Sequence, residues 1–384
     1  MSRHRLLLVN HEYPPLGGGA ATATEALARA FAEQGADVHV LTAAFPGLPR
    51  EEISGAIRVK RVRALRRRAE QSNPIEMITF MISAAWQGMR LARDWKPDLS
   101  IAFFGIPAGP VSLTLRNVTR VPYIVSLRGG DVPGHQPEQL KTYHALAKPF
   151  VRHVWKRAAA VVANSSGLRD QALRALPDLE IPVIHNGVDT DFFSPGDAQG
   201  EAPDRPVRLL FVGRVSYEKG LQHLLPALAN MADAGWMLRI VGDGPYMDAV
   251  DRQVRDLGLE DRVERIGWIT REQLPSIYRD ADLFVFPSTD EGMPNSVLEA
   301  MASGLPVIAT RIPGSEDLVV DGETGALVEA GNTAALADAL SSFIADGEKR
   351  RRMGAAGRQR ALDTFSWQKT AEAYLDLANR LLVK

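Results

Sequence analysis

Two glutamates, Glu291 and Glu299, lie eight residues apart in a stretch whose pattern combines a strand, a polar loop and a helix. Residues 283–287 form a short, mostly apolar run that is typical of a buried parallel strand. Pro294 suits the first turn of a helix, which predicts a helix onset near 294–296. A second apolar run, "LPVIAT", follows as the next strand. Parallel sheets bind their ligands at such strand ends.

The loop and the helix together could bind a phosphorylated sugar. The backbone amides of Asn295, Ser296 and Val297 would point out of a helix N-terminus, which is a favourable place for phosphate. Glu291 in the loop and Glu299 within the helix would supply carboxylates for sugar hydroxyls. This combination suits a nucleotide sugar. Taken alone, such a pair of glutamates is more often a solvated loop residue and a helix-surface residue.

A pair of cations follows the first apolar run of the second half of the chain. Arg214 and Lys219 lie five residues apart, across a turn and the start of a helix at Gly220. Fixed positive charges can hold a diphosphate and stabilise the charge that develops on a leaving phosphate, without a metal ion. An ordinary surface pair is the alternative interpretation. The eight histidines show no metal-ligand spacing, so no metal site is predicted.

Three glycines at 17–19 directly follow the first predicted strand. Residues without a Cβ let backbone amides approach a pyrophosphate closely, which makes Gly17 and Gly18 candidate donor-binding residues. The segment is not G-x-G-x-x-G, so it lacks the nicotinamide fingerprint. By itself, a plain tight turn explains these glycines better.

Length and composition narrow the classes of protein that fit. At 384 residues the chain exceeds the usual size of one domain, which predicts two. It contains no cysteine, which excludes disulfides, thiolate metal sites and a cysteine nucleophile and fits a reducing compartment. Residues 1–195 carry 24 Lys and Arg against 17 Asp and Glu. This basic half, and residues 57–68 above all, could attract an anionic membrane or a phosphorylated acceptor, although a solvated strand edge is the commoner explanation.

The order of apolar runs predicts the architecture. Short apolar runs alternate with helical patterns through both halves, which predicts two doubly wound α/β domains. Residues 191–206 are rich in Pro, Gly and acidic residues and are predicted to be an exposed linker. We therefore expect a first domain over 1–190, a second over 207–365 and a final helix over 366–384.

The helical pattern over residues 75–95 is the most apolar in the chain. Glu76, Gln87 and Arg90 interrupt it, which argues against a membrane span. Its methionine and aromatic side chains are therefore expected to face the sheet. The apolar run Leu6–Val9 near the N-terminus is too short for a span or a signal-peptide core, and it is interpreted as the first strand.

Five motifs occur in the order found in one enzyme family. They are "PPLGGGA" at 14–20, "IHNGVDTDFF" at 184–193, "FVGRVSYEKG" at 211–220, "GDGP" at 242–245 and "FPSTDEGMPNSVLEAMASGLPVIAT" at 286–310. The chain resembles the glycosyltransferase family 4 group, retaining sugar transferases of the GT-B fold that use nucleotide sugars. The resemblance spans nearly the whole chain. It implies two Rossmann-like domains facing a central cleft and a C-terminal helix that crosses back to the first domain.

The resemblance gives the conspicuous residues their expected roles. Glu291 matches the carboxylate that orients the donor sugar, and Glu299 matches the residue that holds the ribose hydroxyls. Arg214 and Lys219 match the cations that hold the donor diphosphate. Retaining members are described as front-face enzymes, in which the leaving phosphate oxygen takes the acceptor proton. Glu291 is therefore expected to position the sugar rather than to act as a base.

The same resemblance locates the rest of the donor site. The base is expected to lie against backbone groups near Gly242 in "GDGP" and Ile269 in "IGWI". The loop that contains Gly17 and Gly18 is expected to close over the bound donor or acceptor. These motifs do not distinguish uracil from guanine, so a UDP- or GDP-linked sugar is expected.

One position departs from the family pattern. Many members carry His followed by Gly after the strand that ends near Leu127, and here Arg128 takes that place. Arginine cannot act as a base but can clamp a carboxylate or a phosphate, which makes it a candidate for binding an anionic acceptor or the donor diphosphate. Asp131 could pair with it, and a purely structural pair is the alternative. His135 is a further acceptor-side candidate.

The sequence therefore predicts a metal-independent, retaining hexosyltransferase. It would move a hexose or N-acetylhexosamine from a nucleoside diphosphate sugar to a hydroxyl acceptor, lipid-linked or anionic, in cell-surface polysaccharide or glycolipid assembly. No cofactor, metal or nucleic-acid partner is expected. We expect a cytoplasmic location, with peripheral contact to the inner face of the membrane. The alternatives are a nucleotide-sugar 2-epimerase on the same fold, which would need acid and base side chains around the sugar, and a non-catalytic nucleotide-sugar binding protein.

Overall fold

Two compact units make up the chain. The computed structural model describes residues 4–68, 72–129, 132, 141–196, 205–231 and 234–383, with only the backbone of 141–148. The first unit comprises Met1–Gly187 together with Trp367–Lys384, and the second comprises Val188–Ser366.

The first unit is built on a mostly parallel sheet. Its strands are β1 (Arg5–Val9), β2 (Asp37–Ala43), β3 (Glu51–Ser54), β4 (Ile57–Val62), β5 (Leu99–Phe103), β6 (Tyr123–Ser126) and β7 (Ala160–Val162). They lie in the order β3-β4-β2-β1-β5-β6-β7, and only β3 runs antiparallel to its neighbour among these strands. The central strands are nearly continuous apolar runs because helices cover both of their faces.

The helices of the first unit bury alternate residues of the strands. They are α1 (Gly19–Glu33), α2 (Pro74–Trp95), α3 (Gly109–Thr119), α4 (Lys141–Arg157) and α5 (Ser166–Ala175). Leu6 and Leu8 of β1 pack in the cluster that includes α1, whereas Leu7 and Val9 pack with α2 and α3. This period of two is what a strand covered on both faces requires.

The second unit has a wholly parallel sheet among the described strands. These are β8 (Val207–Val212), β9 (Trp236–Val241), β10 (Val263–Gly267), β11 (Leu283–Phe286), β12 (Val307–Thr310) and β13 (Gly325–Val328), in the order β10-β9-β8-β11-β12-β13. Its helices are α6 (Leu221–Ala229), α7 (Met247–Asp256), α8 (Leu274–Arg279), α9 (Asn295–Ala302), α10 (Pro313–Glu316), α11 (Thr333–Ala345) and α12 (Gly347–Thr364).

The final helix, α13 (Trp367–Leu382), packs on the first unit. The ring of its Tyr374 meets Phe31 of α1 edge to face, with ring centres 6.2 Å apart, and its hydroxyl lies 2.7 Å from Ser126 Oγ. Trp367 is buried in the same cluster. This confirms the prediction that the last helix returns to the first domain.

Helix α2 is only partly as predicted. A capping box starts it, because Asn73 accepts a hydrogen bond from the Glu76 amide and the Glu76 carboxylate accepts one from the Asn73 amide. Phe80 is buried as expected, but Trp86 is 56% exposed and does not face the sheet. The helix is apolar on both faces, and only one face can be covered by the sheet. No helix in the described part of the chain is long and apolar enough to cross a membrane.

Each sheet has one point where the crossovers leave in opposite directions. This point lies between β1 and β5 in the first unit and between β8 and β11 in the second. Neighbouring loops diverge there and leave a crevice at the carboxyl ends of the strands. The glycines at 17–19 follow β1, Lys219 follows β8, and Glu291 follows β11.

Candidate active site

The loops that follow β8 and β11 are joined backbone to backbone. The amide of Thr289 donates to the Glu218 carbonyl at 2.7 Å, and Ser288 Oγ donates to the same carbonyl at 2.9 Å. Gly220 has a φ of +74°, and a Cβ there would lie 1.9 Å from the Pro287 carbonyl oxygen. Only glycine allows this approach. Lys219, the residue before Gly220, is thereby held against the loop after β11.

Lys219 and Glu291 form an ion pair at this junction. The Lys219 ammonium donates to Glu291 Oε1 and lies 5.5 Å from the centre of the Phe286 ring. The two side chains are only 18% and 17% exposed. Charges so shielded from water act strongly on their neighbours. The fold thus brings together two groups that lie in separate sequence motifs.

The surroundings of Lys219 bring its titration close to neutrality. Burial lowers the pKa of Lys219 to about 8, the carboxylates of Glu218 and Asp290 oppose this shift, and the Arg214 guanidinium adds to it. At pH 7 the Lys219 side chain is therefore still mostly charged, and it loses its proton as the pH rises through about 8. Arg214 is exposed at the end of β8, within electrostatic range of both Lys219 and Glu218.

Helix α9 begins at Asn295, within the predicted range. Pro294 precedes it in an extended conformation and, as the N-cap residue, makes no side-chain hydrogen bond to the first turn. Val297 is fully buried, and its amide donates to the Pro294 carbonyl at 3.2 Å. The Val297 amide is thus already engaged, which the sequence did not indicate. Asn295 and Ser296 lie half-buried at the positive end of the helix dipole.

Glu299 is held by a tyrosine that the sequence analysis missed. The Tyr278 hydroxyl donates to Glu299 Oε2 at 2.9 Å, and it lies 3.3 Å from the Ser296 carbonyl oxygen. Burial raises the pKa of Glu299 to about 7, although the Tyr278 hydrogen bond and the Arg271 charge both act to lower it. The Glu299 side chain therefore titrates near neutrality. Tyr278 lies in the short helix α8, and nothing in the local sequence pattern marks it as functional.

The "GDGP" segment packs directly on the loop after β8. Gly242 has a φ of +125°, and a Cβ there would lie 2.0 Å from the Gly213 carbonyl oxygen. A Cβ on Gly244 would lie 2.2 Å from the Val215 carbonyl oxygen. Glycines at both positions let this segment approach the loop that carries the cations. Ile269 follows β10 and packs, half-buried, against the cluster that contains β11.

In the first unit, the loop after β1 closes on Glu12. Gly17 has a φ of +87°, and a Cβ there would lie 2.5 Å from Glu12 Oε2. The Gly18 backbone amide acts to lower the pKa of the Glu12 carboxyl group. At Gly18 a Cβ would meet open space. Gly17 is therefore required by its positive φ and its contact with Glu12, whereas no such contact requires glycine at position 18.

A buried polar cluster lies beneath this loop, and the sequence analysis missed it. Arg66 Nη1 donates to the His11 carbonyl at 2.9 Å, and Nη2 lies 3.9 Å from Glu12 Oε1. Burial raises the pKa of Glu12, opposed by Arg66 and by the Gly18 amide. Burial and the Arg66 charge lower the pKa of His11 to about 3, so its ring is neutral at pH 7. The only sequence signal was a His-Glu pair just before the glycine loop.

Arg128 is held at the carboxyl end of β6. It donates to Asn186 Oδ1, and its guanidinium lies 4.6 Å from the centre of the Phe103 ring. Asn186 of the "IHNGVDTDFF" motif is thus a side-chain partner of Arg128. Asp131 and His135 lie outside the described residues.

Comparison with known proteins decides the family. The model for Glycosyltransferase Family 4 matches residues 17–192, and the model for Glycosyl transferases group 1 matches residues 196–360. An alpha-maltose-1-phosphate synthase of Mycolicibacterium smegmatis is 30% identical over 98% of this chain and 99% of its own length. The chain belongs to the family 4, group 1 glycosyltransferases.

Solved structures show the same fold. The sucrose-phosphate synthase of Thermosynechococcus elongatus has a TM-score of 0.85 at 24% identity, covering 99% of this chain and 100% of that one. Anabaena HepE, solved in complex with UDP and glucose, has a TM-score of 0.76 at 20% identity, covering 98% of this chain and 100% of that one. The two α/β units of this glycosyltransferase are therefore those of the GT-B fold.

The predicted residues of this glycosyltransferase fall into two groups. Lys219, Glu291 and Glu299 lie in the second unit, at or beside the point where the crossovers diverge. Gly17 and Arg128 lie in the first unit, at the ends of β1 and β6. Within the described ranges, no group of three His, Cys, Asp or Glu side chains is arranged to hold a metal ion.

Proposed function

We propose that this glycosyltransferase is a retaining, metal-independent enzyme that moves a hexose or N-acetylhexosamine from a UDP- or GDP-linked donor to a hydroxyl acceptor. The observation that carries the proposal is the ion pair of Lys219 and Glu291 where the loops after β8 and β11 meet. An ammonium there can bind the diphosphate while the adjacent carboxylate binds hydroxyls of the attached sugar. The presence of UDP and glucose in the Anabaena structure supports a donor of this class.

In the proposed reaction, the bond between sugar C1 and the diphosphate oxygen breaks, and a bond from C1 to the acceptor oxygen forms on the same face. The proton of the acceptor hydroxyl goes to the leaving phosphate oxygen, so no protein base takes part. Lys219 and Arg214 would stabilise the charge on the β-phosphate, and losing one such contact typically costs about 3 kcal/mol in the transition state. Glu291 would contribute by orienting the sugar.

Glu299 would bind the donor ribose. The Tyr278 hydrogen bond fixes the orientation of the Glu299 carboxyl group through Oε2, and the other oxygen can then accept hydrogen bonds from the ribose hydroxyls. Because burial brings the pKa of Glu299 to about 7, ribose binding would depend on pH near neutrality. Gly242 and Ile269 would lie along the base.

The acceptor would carry a phosphate or a carboxylate as well as its hydroxyl. Arg128 supports this, because Asn186 and the Phe103 ring orient its guanidinium at a strand end of the first unit. The names of two similar proteins, alpha-maltose-1-phosphate synthase and sucrose-phosphate synthase, also give phosphorylated sugars as products. An anionic or lipid-linked acceptor in polysaccharide or glycolipid assembly fits this description.

A donor screen tests the proposal. The protein would be mixed with UDP-glucose, UDP-N-acetylglucosamine, UDP-galactose, GDP-mannose or ADP-glucose, with and without a chelator, and its melting temperature and the release of nucleotide would be measured. A ligand of the native state raises the melting temperature. One UDP- or GDP-linked donor should raise the melting temperature and be hydrolysed slowly. Both effects should be the same with and without the chelator. A nucleotide sugar recovered with inverted configuration at C2 would instead indicate an epimerase.

A further inference from the structure

The outer face of helix α2 is an exposed apolar stripe. The side chains on this face recur at intervals of three and four residues and are Ile75 (65% exposed), Ile78 (54%), Ile82 (68%) and Trp86 (56%). The opposite face supplies Phe80 and Ala84 to the core. A helix of a water-soluble domain normally turns a polar face outward, so four large apolar side chains in a row mark a surface that binds something apolar.

The stripe widens beside the start of the helix. The amide of Leu65 donates to Thr79 Oγ1 at 3.1 Å, which holds this residue next to α2, and its side chain is 52% exposed. Arg67 and Arg68 follow directly and are also exposed. The apolar surface thus continues into the basic segment that the sequence singled out.

Cations border the other end of the stripe. A recess of about 310 Å³ lies against Trp86 and Gln87, and it is lined by four cationic side chains and one carboxylate: Arg50, Lys60, Arg61, Arg63 and Glu51. Glu51 pairs with Lys60 at 2.9 Å. The guanidinium of Arg90 lies 4.8 Å from the Trp86 ring centre. Aromatic, aliphatic and arginine side chains in this arrangement are typical of helices that lie in a membrane interface.

We propose that the outer face of α2 docks on an anionic lipid surface. Ile75, Ile78, Ile82 and Trp86 enter the boundary between head groups and acyl chains, and Arg50 and Arg63 bind lipid phosphates. The charge favours this partner over a second copy of the chain. A symmetric contact between two such faces would bring two sets of arginines together. The inference concerns a surface remote in sequence from the donor-site residues and does not depend on the donor chemistry.

Vesicle co-sedimentation tests the apolar part. The full chain would be mixed with vesicles of phosphatidylcholine alone or of phosphatidylcholine with phosphatidylglycerol, and the bound fraction measured. The native protein should bind to the anionic vesicles and show little binding to the neutral ones. The double variant I78S/I82S should lose binding by at least about tenfold. Leu362→Ser, which alters an exposed apolar side chain of the second unit, should bind like the native protein.

A second pair of variants tests the charges. R50E/R63E should weaken binding to anionic vesicles by at least about tenfold and reduce its sensitivity to salt. The double variant R351E/R352E changes two exposed arginines of α12 by the same total charge and should have little effect. Both double variants alter exposed side chains, so unchanged melting temperatures and donor hydrolysis should accompany the loss of binding.

Three results would overturn the proposal. The first is native protein that stays in the supernatant with anionic vesicles. The second is binding that I78S/I82S and R50E/R63E leave unchanged. The third is a native dimer that I78S/I82S turns into a monomer without any vesicle binding by the native protein, since the stripe would then be an interface between copies. None of these results bears on donor binding, which the donor screen measures separately.

Discussion

Lys219 and Glu291 satisfy each other's charge at the meeting point of two strand-end loops. A diphosphate sugar would offer each group a new partner, phosphate for the ammonium and hydroxyls for the carboxylate. Both side chains are already held at these strand ends and largely removed from water, so donor binding only has to exchange the partner of each group. This ion pair is the part of the site from which the proposed catalysis follows.

Two substitutions of Lys219, one that removes its charge and one that keeps it, should differ in their effect on donor binding and turnover. Lys219→Ala should lower kcat/KM by on the order of 100-fold to 1,000-fold and weaken donor binding, because the diphosphate loses a shielded cation. Lys219→Arg should recover part of both, because it keeps the charge. Steady-state kinetics and donor titration would measure this. Lys369→Ala, which breaks an exposed pair with Glu372, is the matched control. Near-normal turnover of Lys219→Ala would remove this residue from the site.

Donor affinity should peak in a narrow range of pH. The pKa of Glu299 is raised to about 7, so its carboxylate is lost as the pH falls through this value. The pKa of Lys219 is lowered to about 8, so its ammonium is lost as the pH rises through that value. If ribose needs the carboxylate and diphosphate needs the ammonium, binding is strongest between the two.

Titration calorimetry with a nucleotide sugar from about pH 5 to about pH 10 would record this profile. Glu299→Gln should remove the decline on the acid side, and Lys219→Arg the decline on the alkaline side. In the unliganded protein, Glu299 should also contribute stability at low pH that is lost as the pH rises towards 7, because the folded state favours the protonated carboxyl group. A flat affinity profile in the native protein would contradict both assignments.

Gly220 should tolerate no side chain. Gly220→Ala would place a Cβ 1.9 Å from the Pro287 carbonyl oxygen and strain a φ of +74°. Gly258→Ala has a comparable φ of +65° with nothing within 4 Å, and it should cost only the backbone strain, about 1 kcal/mol. We expect Gly220→Ala to destabilise the protein by several times that amount and to impair donor binding. Urea unfolding and donor titration would compare the two, and equal effects would argue against the close approach.

Arg128 should act on the acceptor. Arg128→His should raise the KM for an anionic acceptor more than the KM for the donor, by about tenfold, because a charged hydrogen-bond donor is lost at neutral pH. Bisubstrate kinetics with the acceptor and donor varied separately would measure the two constants. A larger increase in the KM for the donor would indicate that Arg128 binds the donor diphosphate instead. Asn186→Ala should have a weaker effect in the same direction, since Asn186 orients the guanidinium.

The sequence predicted those parts of the molecule that local patterns encode. Apolar runs and turn residues predicted the two α/β units, the family resemblance implied the returning helix, and motif spacing predicted Lys219 and Glu291 at strand ends. Their ion pair could not be predicted, because it depends on β8 and β11 being neighbours in the sheet. Tyr278 was missed for the same reason, since it reaches Glu299 from a separate helix.

The sequence also did not predict which of these side chains are buried in the folded protein. Residues 75–95 are apolar on both faces, and composition alone does not reveal which face the sheet covers. The prediction that the aromatic residues of this helix face the core is right for Phe80 and wrong for Trp86. His11, Glu12 and Arg66 were missed because a buried polar cluster has no local pattern of its own.

The role of the Lys219–Glu291 pair is tested most directly by the effect of Glu291→Ala on nucleotide binding and on sugar transfer, measured in the same preparation. We expect the affinity for UDP or GDP without a sugar to be kept, because Lys219 remains, and kcat for transfer to fall by on the order of 100-fold to 1,000-fold. Glu291→Gln, which keeps the shape without the charge, should retain more activity than Glu291→Ala. Near-normal transfer by Glu291→Ala would contradict the role of the Lys219–Glu291 pair in holding the donor sugar.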